Sequence, residues 1–320
     1  MKKILIFLVL TFSLVVLLSC NGKTPAPGTK ARVGTWKTAQ TIQPFLYEKY
    51  LADQYQVEVL PFTNPGDQKA ALLAGSLDMC GSTVALALTA ASKGEPVVAV
   101  CGLCNKCSAL VVRKDSEIHK PSDLKGKKIA YVPGTMHHVL LLEVLRRAGL
   151  DPEKDVHLTR VDFFDMGQAL SQGAVDAFLS GEPYPSLAVV NGYGRILAYP
   201  YYGEDIGTIN AVMITTRDKI KNNRRLIQQL VNAHAMATEQ LKSHPEEWLN
   251  LASRFGTDRK VLDIAVGNME LAWDLNKEYV QRAKNLAKRM NELGMISQMP
   301  DVDALFDLSF VEEARKNMGK

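Results

Sequence analysis

Apolar positions fall into three regimes along this chain. Between residues 4 and 18 they run almost unbroken, with only Thr11 and Ser13 intervening. From about residue 31 to residue 215, short β-rich runs alternate with stretches whose apolar residues recur at helical spacing. Beyond residue 214 only the helical spacing remains. The pattern predicts strands at 32–34, 77–79, 128–132 and 175–178, and helices at 41–51 and 137–148. The tail predicts four more helices, at 225–243, 245–255, 259–275 and 278–293.

The alternating region contains a repeat. Asp67, Ala71, Leu72, Gly75 and Asp78 in DQKAALLAGSLD match Asp165, Ala169, Leu170, Gly173 and Asp176 in DMGQALSQGAVD, 98 residues later. Each copy reads as a helix capped by its first Asp, facing inward with its Ala-Leu pair and ended by its Gly before a short strand. Alternation within both copies predicts an α/β protein of two lobes, each a mainly parallel sheet flanked by helices. The helical tail, with no linker to free it, is expected to pack on the first lobe.

Ligands of such sheets sit beyond the carboxyl ends of the strands, near helix N-termini. Facing lobes would therefore enclose a cleft, with one wall from 36–40, 63–67 and 80–83 and the other from 134–138, 162–166 and 181–184.

The initial apolar run is a separate matter. Lys2 and Lys3 precede it, and its length is short for a membrane span but suits a secretory signal. It ends Leu17-Leu18-Ser19-Cys20, which resembles the bacterial lipobox, whose cysteine is acylated and becomes the new N-terminus. Residues 1–19 are thus expected to be a signal peptide, Cys20 the lipidation site, and 20–30 a tether rich in Pro, Gly and Thr. The body would lie outside the cytoplasmic membrane, held to it by lipid.

Composition narrows the classes further. The chain has 320 residues, 47% hydrophobic and 22% charged, which suits two folding units. Its formal charge of +4 includes Lys2 and Lys3, so the body is nearly neutral and nucleic acid is not an expected partner. GxSxG, HExxH and P-loop signatures are absent, and no catalytic residue is expected.

The stretches EPVVAV, ALVVRKDS, PSDLKGKKIAYVPGT, HHVLLLEVLRRAGL, ALSQGAVDAF and GEPYPSLAV resemble the solute-binding proteins of ABC importers for nitrate, alkanesulfonates, taurine and thiamine-precursor pyrimidines. The resemblance covers roughly 31–215 and, loosely, the tail. It implies the type II periplasmic-binding-protein fold, closing over its ligand. It also implies a crossing at 109–113, a return near 213–216, and lobes of 31–112 plus 213–320 and of 113–212. A permease, a cytoplasmic ATPase and a monomeric state follow from the same resemblance. So does a ligand cradle at Gly134, Thr135, Met136, His137 and His138, where relatives ordinarily carry small hydroxyl residues for an anion. Met136 and His137 in those places argue against sulfonate or nitrate.

Five cysteines sharpen the question of the ligand. With Cys20 lipidated, Cys80 follows one predicted strand, and Cys101, Cys104 and Cys107 in CGLCNKC follow another, so all four thiols are expected near the cleft. Three readings remain open. Structural disulfides are one, for instance Cys104 with Cys107 or Cys80 with one of the triplet. A soft cation such as Cu(I), Zn(II), Hg(II) or an arsenical is another, with help from Met136, His137 or His138. Redox activity is the third. The related fungal pyrimidine synthase uses the same fold as an enzyme, so a thiol-dependent enzyme or redox or metal carrier stands as the alternative function.

Trp36 is a candidate to stack on a flat ligand, and Glu182 and Tyr184 to hold its polar edge. Thr38, Asp67, Ser82 and Thr83 complete the expected site. Asp162 and Asp165 offer an acid-base pair, but Asp165 is better explained as a cap. His234 and His244 fall in the tail, where a solvated or core role is expected, and 219–225 reads as an exposed basic face. The expectation is a membrane-tethered solute-binding lipoprotein of an ABC importer. Its ligand is expected to be small, a thiophilic compound being one candidate, and a soft metal ion is the one candidate cofactor.

Overall fold

The computed structural model describes residues 28–201, 203 and 205–319. The expected signal peptide, Cys20 and most of the tether lie outside the described residues.

The first lobe opens with β1 (Lys30–Thr35), two 3-10 turns (Ala39–Thr41 and Gln43–Leu46), α1 (Glu48–Leu51), β2 (Gln56–Pro61), α2 (Pro65–Leu73), β3 (Met79–Thr83), α3 (Val84–Ser92) and β4 (Val97–Lys106). The helix predicted over 41–51 is broken because Pro44 has no N–H and its ring crowds the preceding turn. α-Helix forms only from Glu48. The second lobe comprises β5 (Ser108–Arg113), β6 (Lys128–Tyr131), α4 (Met136–Arg147), β7 (His157–Arg160), α5 (Phe163–Ser171), β8 (Ala177–Gly181), α6 (Tyr184–Val190) and β9 (Gly194–Ala198). β10 (Ile209–Thr216) returns to the first lobe, followed by α7 (Arg217–Ser243), α8 (Pro245–Ser253), α9 (Arg259–Ala265), β11 (Met269–Leu271), α10 (Lys277–Glu292), α11 (Val302–Leu305) and α12 (Ser309–Asn317).

The strands form two sheets, ordered β11-β4-β10-β3-β1-β2 and β7-β6-β8-β5-β9. In each, the strands of the repeat are parallel: β2-β1-β3 in one and β7-β6-β8 in the other. Beside the last of each trio lies an antiparallel strand that has come from the other lobe, β10 against β3 and β5 against β8. Because β5 lies wholly in the second sheet, the chain crosses at Cys107 rather than at the expected 109–113. The return is complete by Ile209, ahead of the expected 213–216.

The repeated aspartates explain the matching halves. Asp78 Oδ2 accepts the N–H of Arg32, and Asp176 Oδ2 that of Lys128, both at 2.9 Å. Their own N–H groups donate to the carbonyls of Arg32 and Lys128 at 2.8 Å. Each aspartate thereby ties the start of the third strand of its lobe to the start of the first. Gly75 and Gly173 follow α2 and α5 at φ +81° and +70°, a left-handed turn that favours glycine.

Asp67 and Asp165 are not the caps expected of them. Asn64 caps α2, accepting the Gly66 N–H at 2.7 Å, and Asp162 stands at the cap position of α5. The two aspartates sit instead in the first helical turn, where their charge meets the positive end of the helix dipole.

Most of the tail packs on the first lobe as expected, α7 against β4 and β10 and α10 against α3, while α9 packs on α6 of the second lobe. α7 breaks at Asn223 (φ −152°, ψ 57°), whose Oδ1 accepts the Leu226 N–H at 3.2 Å and restarts the helix, so the predicted 225–243 is its second part. The helix expected over 259–275 stops at Ala265. There the chain turns and adds β11 to the open edge of β4, a pairing no local pattern announces. His234 is a core residue: Tyr47 OH donates to its Nδ1 at 2.7 Å, and its Nε2 donates to the Ala272 carbonyl at 3.1 Å. His244 is at the exposed end of α7, its Nδ1 3.0 Å from the Gln240 carbonyl oxygen.

The two repeated aspartate positions separate by role. Asp78→Ala should cost about 1–3 kcal/mol, because the Arg32 N–H and the Lys219 ammonium lose their carboxylate partner. Asp67→Ala should cost under about 1 kcal/mol, the worth of a helix-dipole charge. Urea denaturation of both variants checks the ordering.

Candidate functional site

A cavity of about 600 Å³ lies between the lobes. The turn after β1 contributes Trp36, Lys37, Thr38, Gln40 and Thr41; the loop leaving β2 contributes Phe62, Thr63 and, at the start of α2, Pro65; β3 ends in it at Thr83. From the second lobe come His137 at the start of α4, Phe163 and Phe164 at the start of α5, and the run from Gly181 to Tyr184. These are the carboxyl ends and helix starts on which an open parallel sheet places ligands. A third wall, Phe255 to Asp258, comes from the turn between α8 and α9. Cys104, Cys107, Asn210 and Ala211 line it where the chain crosses.

The second-lobe wall is aromatic. Phe163 and Tyr184 stack with rings 8° apart and centroids 6.3 Å apart, and Phe164 meets Tyr184 edge-on at 5.4 Å. The His137 ring stands edge-on to Phe163 at 5.4 Å, with its Nδ1 3.0 Å from Ser108 Oγ. Gly181 makes room for that ring: a Cβ there would lie 2.9 Å from His137 Cε1 and Nε2 and 3.3 Å from Cys107 Sγ. On the first lobe, Gly81 performs the same service for Trp36, whose ring would be 2.8 Å from a Cβ.

One hydrogen bond spans the cleft inside the cavity. Gln40 Nε2 donates to the Glu182 carbonyl at 2.6 Å, while Gln40 Oε1 is buried without a partner among the described residues. The Glu182 carboxylate accepts the Ser186 N–H at 3.2 Å and Asn268 Nδ2 at 3.3 Å. No cation pairs with it in the described residues, and burial raises its pKa above the ordinary carboxylate range. Burial lowers the His137 pKa to about 4, so the imidazole is neutral at pH 7. Lys37 is the one lysine or arginine on the lining, and it lies 5.6 Å over the Phe255 ring.

Of the residues expected at the site, Trp36, Thr38, Thr83, His137, Glu182 and Tyr184 line the cavity. Asp67 does not, since it belongs to the first turn of α2. Ser82 is fully buried beneath the strand surface, its Oγ donating to the Thr83 carbonyl at 3.2 Å. The pentad at 134–138 delivers only His137. Thr135 uses its hydroxyl to cap α4, accepting the His138 N–H at 3.3 Å and donating to the Val132 carbonyl at 2.9 Å. Gly134 is the left-handed residue that lets the chain enter the helix, Met136 is buried in the core, and His138 packs against the Tyr131 ring at 4.6 Å.

The four thiols also separate. Cys104 and Cys107 line the cavity, whereas Cys80 and Cys101 do not. β4 is bulged between Cys101, opposite Met213, and Cys104, opposite Ala211. Cys80 Sγ points to the Gln68 carbonyl at 3.7 Å, beneath α2. Among the described residues all four are free thiols, and no group of three or more His, Cys, Asp or Glu side chains is placed to hold a metal ion. The four thiols expected together are thus split, two on the cavity lining and two off it. Burial raises the pKa of Cys80 and Cys101, and for Cys107 a hydrogen bond with Cys104 adds to burial as the larger cause, so these thiols stay protonated.

The expected walls at 36–40 and 162–166 include Gln40, Phe163 and Phe164 without singling them out, and the third wall at 255–258 is not among them. The repeat does carry a signal for the phenylalanines: they align with Pro65 and Gly66, at the cleft end of the matching helix. Two large aromatics where the other copy has Pro-Gly mark a surface shaped for something other than packing.

Residues 50–248 match the family model described as "NMT1/THI5 like". The chain belongs to the NMT1/THI5-like family. A protein of Escherichia coli strain K12 whose name describes it as binding aliphatic sulfonates is 31% identical over 149 residues, 47% of this chain and 46% of that one. The 4-amino-5-hydroxymethyl-2-methylpyrimidine phosphate synthase of Schizosaccharomyces pombe is 32% identical over 104 residues, 32% of this chain and 30% of that one. Each match thus spans less than half of the relative. The alkanesulfonate-binding protein SsuA from Xanthomonas axonopodis pv. citri, bound to MOPS, superposes with a TM-score of 0.78 at 22% identity, over 88% of this chain and 99% of that one. The expected two-lobed periplasmic-binding-protein fold is the fold of this NMT1/THI5-like chain.

Two buried histidines and a partly buried one set a pH dependence. His137, His138 and His234 all have pKa values lowered to about 4 by burial, against about 6.5 in the unfolded chain. The unfolded state binds more protons between those values, so stability should rise with pH from 4 to 6.5 and level off above. Each histidine contributes up to about 1.4 kcal/mol per pH unit within that window. Glu182, raised in the folded state, works in the opposite direction and is outnumbered. Urea midpoints at pH 7 and pH 5 check the sign: a lower midpoint at pH 5 is expected.

Proposed function

We propose that this protein is the solute-binding component of an ABC importer, held outside the cytoplasmic membrane by lipid on Cys20. It captures a small ligand between its lobes and presents it to a permease driven by a cytoplasmic ATPase. The observation that carries this reading is the cavity of about 600 Å³ lined from both lobes and bridged by the Gln40–Glu182 hydrogen bond. Its size suits a small organic molecule. A ligand that touches both walls binds the closed arrangement better than the open one, and that difference is what drives closure.

The chemistry of the lining favours a flat, aromatic or heteroaromatic ligand of low negative charge. Trp36, Phe62, Phe163, Phe164, Tyr184 and Phe255 offer ring faces and edges. Gln40 Oε1 offers an acceptor that lacks a donor, and the Glu182 carboxylate a second acceptor with no cation beside it among the described residues. A sulfonate would find Lys37 as its single lysine or arginine partner and His137 uncharged. A thiophilic ligand, or a thiol-dependent reaction on this fold, is the second reading, favoured by Cys104, Cys107 and His137 sharing one cavity.

Calorimetric titration with pyrimidines, other heteroaromatics, alkanesulfonates, taurine and nitrate tests this. Binding of a heteroaromatic is expected, weakened at least about tenfold, or about 1.4 kcal/mol, by Trp36→Ala or Tyr184→Ala. Binding of alkanesulfonates alone would overturn the ligand class. Turnover of a bound compound would overturn the transport reading.

A further inference from the structure

The strand register builds a slot for one imidazole on the cavity wall. β5 and β8 set Ser108 directly opposite Gly181. Directly opposite residues of an antiparallel pair present their side chains on the same face. Gly181 has none, and the His137 ring takes the free place: a Cβ on Gly181 would lie 2.9 Å from both Cε1 and Nε2. The other side of the ring reaches Ser108, whose Oγ is 3.0 Å from Nδ1. Phe163 holds the ring edge-on at 5.4 Å. His137 is left 7% exposed on the cavity lining, and Ser108 is fully buried.

These contacts fix where the imidazole hydrogen sits. The ring is neutral at pH 7, so one nitrogen carries a hydrogen and the other accepts one. Ser108 Oγ has no partner besides Nδ1 among the described residues. If Nδ1 carried the hydrogen, the buried hydroxyl would have no acceptor for its own, at a cost of about 1–3 kcal/mol. With Ser108 donating to Nδ1 that cost disappears, and the ring hydrogen belongs to Nε2. Nε2 itself has no partner among the described residues.

We propose that Ser108 positions His137 as the Nε2–H tautomer, and that this N–H selects ligands whose ring nitrogen or carbonyl oxygen accepts from it over isosteres that lack the acceptor. The proposal rests on the reading of the cleft as the site of a small heteroaromatic solute. A ligand with a matching acceptor satisfies a donor that otherwise has no partner. Its carbon isostere leaves the same N–H enclosed and unpaired, and a site built to hydrogen-bond its ligand rejects such an analogue. Ser108 touches no ligand in this arrangement and acts through the ring.

Long-range proton–nitrogen correlation spectra of the full protein, without ligand, read the tautomer. At pH 7 His137 should show Nε2 protonated and Nδ1 bare, and in Ser108→Ala the Nδ1–H form should appear. Calorimetric titration at pH 8 then compares 3-aminopyridine with aniline, two neutral rings of one shape that differ by a single ring nitrogen. The wild type should prefer the pyridine at least about tenfold. His137→Ala should reduce that preference to about threefold or less. His137→Gln, which returns an N–H donor to the place of Nε2, should recover most of it, and Ser108→Ala should weaken it in part. A wild-type Nδ1–H tautomer, equal binding of the two probes, or a preference that survives His137→Ala would each overturn the proposal and leave the solute site standing. Binding of neither ring would overturn the ligand class and the proposal with it.

Discussion

Two chain crossings lying side by side constrain everything else in this molecule. Each sheet needs a strand from the other lobe: β10 closes the gap between β3 and β4, and β5 stands between β8 and β9. The lobes are therefore not beads on a linker, because each would lose an interior strand without its partner. The crossing residues bear the cost. Left-handed backbone at Lys106 and Cys107 disfavours each by about 1–2 kcal/mol. It is offset by hydrogen bonds from three directions: the return crossing through Thr208 and Asn210, the segment before β11 through Asn268, and the second lobe through Glu182.

That arrangement also shapes the cleft. Glu182 takes part twice, its N–H held by Cys107 and its carbonyl by Gln40, so the loop that carries Tyr184 is fixed to both lobes at once. The side chains brought together include several aromatic rings, and burial lowers the His137 pKa and raises that of Glu182. Such an enclosure discriminates largely by shape and by hydrogen-bond pairing. The residues that line the cavity in this chain differ from an anion cradle. The Gly134–His138 turn shows how: its hydroxyl and backbone groups are used in starting α4, and a neutral imidazole takes the wall.

Much of the frame is legible in the residues alone. The repeat of Asp78 and Asp176 is visible because one carboxylate in each lobe must satisfy a strand's leading N–H, and Gly75 and Gly173 because the chain must turn left-handed after each helix. Half of the expected site residues reach the cavity, since the carboxyl ends of parallel strands and the starts of the following helices converge whatever their side chains. The caps of α2 and α5 lie three residues ahead of the expected aspartates, since an acid in the first turn reads much like one at the cap. β11 escapes sequence reading because a three-residue strand exists only by virtue of the edge it completes.

The sequence by itself determined the two α/β lobes, the helical tail and the places where their loops would meet, because strand and helix periodicities and turn residues are local properties. Tertiary structure alone decided which side chains face the cavity. The face on which a cysteine lands depends on register, bulges and two left-handed residues at a crossing, and none of these is encoded by spacing. That is why four buried thiols expected together divide into two off the cavity and two on its lining.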